Sequence, residues 1–242
     1  MMRRLTDLRP TVTRTMGAPV RIDLVSLVLL APLVWTLAQW VLPPLAPELG
    51  AGVYWGMALV ATLGLVVGTV IRGAALLLAA RALHTEGVLT LYLFGPAFDT
   101  PAAATRPRTE ALLAVLHLLV TALLAILCFV LFSRGFGTTP PLPAIGVAFV
   151  LMLGHGALMV FYLLAGYPLD GGRLLRALLA RRGDMRRATR WSAAWRYVVA
   201  VALLAGAVAL LLAHWLAALW VAVLALLLAS ARPTSPTKTT SR

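Results

Sequence analysis

One carboxylate, Asp170, stands in the segment Tyr167-Pro168-Leu169-Asp170-Gly171-Gly172-Arg173, after a long apolar run and before an arginine-rich stretch. A carboxylate so placed can ligate a metal, move a proton, or cap the helix that begins near Gly171 by accepting backbone N–H groups. Other groups with metal-binding chemistry are sparse. His117 follows Glu110 by seven residues, nearly eclipsed on a helix. His84 and Glu86 share one side of an extended chain. Catalytic zinc takes three protein ligands and keeps one position open, and neither pair comes with a third ligand and a base at diagnostic spacing. His155, between Gly154 and Gly156, reads as a helix contact facing a bundle interior, and His214 as a turn residue. Cys128 is the single cysteine, so neither an intrachain disulfide nor a cysteine-based zinc site can be assembled.

The elements that must position these groups are membrane spans. The chain of 242 residues is 61% hydrophobic and 12% charged, with mean hydropathy +0.93, too much apolar surface for a soluble fold. Apolar runs of about 20 residues match the roughly 30 Å hydrocarbon core of a bilayer. The net charge of +13 comes from arginines scattered between those runs, Lys238 being the one lysine. Topology accounts for that charge better than nucleic acid does.

Residues 1–23, with five arginines and two prolines, read as a polar cytoplasmic arm. Spans are predicted at about 24–42, 53–82, 111–132, 144–165, 197–213 and 216–231 within one domain covering 24–231, and the Pro/Ser/Thr-rich tail 232–242 is predicted disordered. Residues 88–95, VLTLYLFG, read as one short strand. The expected class is therefore an all-α polytopic membrane protein of about six transmembrane helices with one short β segment. Six spans with the N-terminus inside leave Arg134 as the one outer basic residue, which fits the positive-inside rule.

Several of these features occur together, in order, in a known family. The run Pro168-Leu169-Asp170-Gly171-Gly172-Arg173 resembles the second motif of the site-2 proteases, intramembrane zinc metallopeptidases. Residues 17–21 before the first span, Tyr54-Trp55, the strand 89–95 and residues 106–110 resemble that family's corresponding segments, so the likeness covers about 17–200. It implies a site-2-protease-like core, with Asp170 as a metal ligand. It also implies a His-Glu-x-x-His in the second span, where two imidazoles on one helix face hold zinc and the Glu activates water. Those positions fall on Ile71, Arg72 and Ala75, and residues 60–83 contain no His, Asp, Glu or Cys. Arg72 puts a permanent cation where the general base would stand. The family's Asn and first Pro correspond to Tyr162 and Ala165, and its Gly-Pro to Leu116-His117.

The sequence thus predicts a bacterial-type inner-membrane pseudoprotease with no catalytic residue and no zinc. Its small residues Gly64, Gly68, Gly73, Ala74 and Ala75 would form a cleft able to receive the span of a membrane-protein client. Two other readings stand beside it. One is an active noncanonical intramembrane metallopeptidase that holds zinc. The other is a membrane-surface module whose arginines between 173 and 196 bind anionic lipid. Membrane lipids and a single-span client are the expected partners, and nucleic acid is not.

Overall fold

The structure is a computed structural model and describes residues 10–15, 18–100, 107–137, 143–164, 169–180, 185–211 and 215–230. The chain divides into two compact units, Met1–Asp99 with Leu119–Met159, and Thr100–Leu118 with Val160–Arg242. Among the described residues four helical segments, Leu24–Leu45, Ala51–Ala82, Pro107–Gly135 and Pro143–Leu164, are long and apolar enough to cross a membrane; Ala194–Ala209 is a shorter apolar helix. The last two expected spans correspond to this shorter helix and to the helix Trp215–Ser230. His214 and the tail 232–242 lie outside the described residues.

The first unit opens with a difference from the sequence reading. The arm contains two strands, β1 (Thr11–Thr15) and β2 (Ala18–Ile22). They join β3 (Val88–Tyr92) and β4 (Gly95–Asp99) in one sheet of order β1-β2-β3-β4, so the single strand expected is a four-stranded sheet. β1 pairs antiparallel with β2, β2 parallel with β3, and β3 antiparallel with β4. Pro96 sits opposite Leu91 in β4, an edge strand, where its missing N–H costs no ladder bond. Gly95 opens β4 at φ +136°, a backbone open to glycine alone at little cost.

Asp23 joins the sheet to the first span. Its N–H donates to Leu91 O at 3.0 Å, while its carboxylate accepts from Ser26 N at 3.0 Å and Ser26 Oγ at 2.9 Å, capping α1 (Leu24–Val28). The helix breaks at Leu29 and resumes as α2 (Leu30–Thr36), because Pro32 has no N–H to give Val28. A π-helical turn (Leu37–Val41) and a 3-10 turn (Pro43–Leu45) end the span. Tyr54 Oη donates to Ala46 O at 2.7 Å and pins the connecting loop to α3 (Ala51–Ala82).

On α3, Tyr54, Met57, Ala58, Ala61, Thr62, Gly68, Thr69, Arg72, Gly73, Leu76 and Ala80 form one buried stripe at helical period. Leu59, Leu63, Val67, Val70 and Leu78 form the exposed one. Polar and small residues inside with large apolar ones outside is the arrangement lipid requires, since lipid tails gain nothing from hiding leucine. A core of Leu37, Ala38, Leu42, Tyr54, Met57, Ala58, Ala61 and Val150 packs the first span and α3 against α5 (Pro143–Leu164).

The second unit contains the start of α4 (Pro107–Gly135), the end of α5, α6 (Asp170–Ala180), α7 (Met185–Leu211) and α8 (Trp215–Ser230). At about 16 Å, α6 is too short to span a bilayer. Leu169 and Phe161 pack with Ala200 and Leu203 of α7, and Trp195 Nε1 donates to Leu164 O at 3.0 Å, one of the carbonyls left over at the end of α5.

Candidate functional site

The two halves of the expected site can be built separately, one in each unit. On α3, Arg72 is fully buried on the inward stripe, whereas Ile71 is 44% exposed and Ala75 half-buried. A guanidinium inside a span needs acceptors. Thr69, one turn earlier, supplies one: its hydroxyl accepts from Arg72 Nη2 at 3.0 Å and itself donates to Leu65 O at 3.1 Å.

The small residues of α3 do not leave the expected cleft open. His155 of α5 lies over Gly68, where a Cβ would come within 2.6 Å of its Nε2. Leu151 fills the space at Gly64, and Leu89 and Leu91 that at Gly73. These glycines serve close packing inside the unit, and His155 faces inward as the sequence predicts.

In the second unit Asp170 is buried and is the first residue of α6. Gly171 and Gly172 lie within its first turn rather than in a turn before it, and Arg173 N donates to Leu169 O at 2.9 Å. Pro168 lies outside the described residues. The Asp170 carboxylate meets Nδ1 of His117, which is also buried and whose ring lies 4.6 Å from that of Tyr162, tilted by 52°. One of the two pairs weighed from the sequence is thereby divided: Glu110 is paired with Arg176 of α6, not with His117. Both Glu110 and Arg176 are buried, and burial by itself pushes the Arg176 guanidinium below its usual range. Arg173 and Arg196 are buried in the same unit.

The other pair lies at the surface. His84 ends α3 at φ +48°, outside any cluster. Its N–H donates to Arg81 O at 3.0 Å and that of Thr85 to Ala80 O at 2.8 Å, the bonding of a Schellman cap, and both His84 and Glu86 are exposed. Among the described residues no three His, Cys, Asp or Glu side chains are grouped to hold a metal.

Zinc is the group this architecture implies, and the residues present do not fit it. Ile71 and Ala75 have no donor atoms, Arg72 is a buried cation, and the Asp170 carboxylate is engaged by an imidazole.

The fold is that of a site-2 protease. The solved structure of the Site-2 Protease from Methanocaldococcus jannaschii aligns with TM-score 0.57 over 94% of this chain and 98% of its own, at 16% identity. By sequence the chain is 33% identical over 195 residues to "Putative zinc metalloprotease Rip3" of Mycobacterium tuberculosis, covering 79% of this chain and 49% of that protein. It is 29% identical over 137 residues to "Putative zinc metalloprotease sll0528" of Synechocystis, covering 55% and 35%. The chain spans about half the length, or less, of these curated relatives. No protein-family model matches it. Fold and sequence together make it a multi-pass membrane protein with the site-2 protease fold, similar in sequence to proteins named as putative zinc metalloproteases.

Proposed function

We propose that the protein is a metal-free pseudoprotease, a site-2-protease scaffold that binds a membrane-protein client without cleaving it. The observation that carries this reading is Arg72, a fully buried guanidinium with Ile71 and Ala75 beside it where the family likeness calls for His, Glu and His. A divalent ion next to a buried permanent cation is opposed by charge, and none of the side chains at 71, 72 and 75 offers a lone pair to a metal. The exposed stripe of α3, from Leu63 through Val67 and Val70 to Leu78, is the surface along which a client span would pack. The protein sits in the inner membrane with its N-terminus in the cytoplasm, the orientation the positive-inside rule favours.

Metal analysis of detergent-purified protein tests the reading. Less than about 0.1 zinc per chain is the supporting result. One tightly bound zinc per chain, lost in Asp170→Ala, would instead establish the active metallopeptidase.

A second reading, binding of anionic lipid, is favoured by the start of α7, where Arg190, Trp191, Trp195 and Tyr197 are exposed. Arg173, Arg176 and Arg196 are buried and take no part in it. Spin-labelled phosphatidylglycerol and phosphatidylcholine associating equally with the protein would sink it.

A further inference from the structure

We infer that His117 holds the Asp170 carboxylate as an imidazole clip, which fastens α6 to α4 and closes this carboxylate to a metal ion. The inference rests on the metal-free reading above and gives the retained motif a positive role.

The buried face of α6 is unsuited to apolar attachment. Its buried residues are Asp170, Gly172, Arg173, Arg176 and Ala177, while Leu178 and Leu179 are exposed. Among the described residues no large apolar side chain of α6 is fully buried, Leu174 and Leu175 being half-buried, so every fully buried side chain longer than alanine on this helix is charged. What joins it to α4 is polar: Asp170 with His117, and Arg176 with Glu110. The two pairs are seven residues apart on α4 and six on α6, close to two turns on each helix. Sliding α6 by one turn would break both, so together they set its register as well as its attachment.

The imidazole is fixed on two sides, by the carboxylate at Nδ1 and by the Tyr162 ring. A carboxylate accepting from Nδ1–H selects the ring form that carries its proton there. A metal approaching Asp170 would have to displace that bond. It would also meet Arg173, buried one turn along α6.

Nuclear magnetic resonance of protein labelled with nitrogen-15 histidine, in detergent micelles, reads the clip directly, with His117 assigned by its loss in His117→Gln. The expected result is a ring protonated at Nδ1 whose signal shifts in Asp170→Asn. A ring protonated only at Nε2, or indifferent to Asp170→Asn, overturns the inference. Unfolding supplies an independent measurement should a variant fold poorly. His117→Gln keeps an N–H donor, so it should retain more stability than His117→Leu, and the losses of His117→Leu and Asp170→Asn should be less than additive when combined. Equal losses for Gln and Leu, with strict additivity, overturn it as well. Zinc that stays bound in Asp170→Ala together with a coupled His117 would defeat the metal-free reading alone, zinc lost in Asp170→Ala would defeat both, and zinc-free protein with an uncoupled His117 would defeat the clip alone.

Discussion

Removing one half of the Glu110–Arg176 pair should be among the most destabilising single changes in the second unit. Both side chains are only 5% exposed, so neither ion regains water when its partner is lost. Opposite charges about 4 Å apart attract by roughly 4 kcal/mol at an effective dielectric of about 20. Loss of one partner from a buried pair costs about 3–5 kcal/mol, against about 0–1 kcal/mol for a surface pair. Glu110→Ala and Arg176→Ala should each fall in the first range. Glu110→Leu combined with Arg176→Met should lie within about 1–2 kcal/mol of the parent or exceed it, because an apolar pair of similar volume carries no desolvation penalty. Cys128 provides the assay: it is the sole cysteine and is buried, so a thiol-reactive dye added along a denaturant series reports unfolding without any engineered label. The losses should also persist between 0.1 and 1 M salt, since buried pairs are little screened. Single losses below about 1 kcal/mol that add in the double variant would refute the reasoning, because the two charges would then be solvated apart.

Four further variants test local geometry and can be read with the same dye. Gly68→Ala should destabilise by about 1–3 kcal/mol through the collision with His155, which exceeds the helix propensity gained. Gly56→Ala, with nothing within 4 Å, should be neutral or stabilising by up to about 1 kcal/mol; the reverse order of the two would mean that α3 and α5 pack differently. His84→Gly should stabilise by about 0.5–1 kcal/mol, since relieving a left-handed residue gains about 1–2 and the freer unfolded chain returns about 0.4–1. Asp23→Ala should cost about 1 kcal/mol by uncapping α1, and a loss no larger than that of Ser26→Ala would discount the cap.

The long helices and the strand at 88–92 were legible in the sequence because hydrophobic length and β-branched runs are local signals. The strand at 11–15 was not: TVTRT is exposed throughout and pairs at an edge, so no buried face marks it. Its threonines and valine, set before Gly17, were the available cue. The family likeness found Asp170 and the absence of donors at 71, 72 and 75, but the partner of Asp170 lies 53 residues away and no pattern announces it. Periodicity on α4 put Glu110 and His117 on one face, and what that face meets depends on α6. The glycines of α3 read as an opening because small residues permit close approach. Which neighbour approaches, His155 and Leu151 here, is decided by tertiary packing.

The parallel pairing of β2 with β3 also bears on how the chain enters the bilayer. The path between these adjacent strands runs out through α1 and α2 and back through α3. Residues 20–22 and 89–91 lie on one side of the bilayer when that path crosses it and returns, whereas a single passage would leave the two segments on opposite sides of the lipid. The small sheet therefore ties the first span and α3 together as a pair that runs in opposite directions.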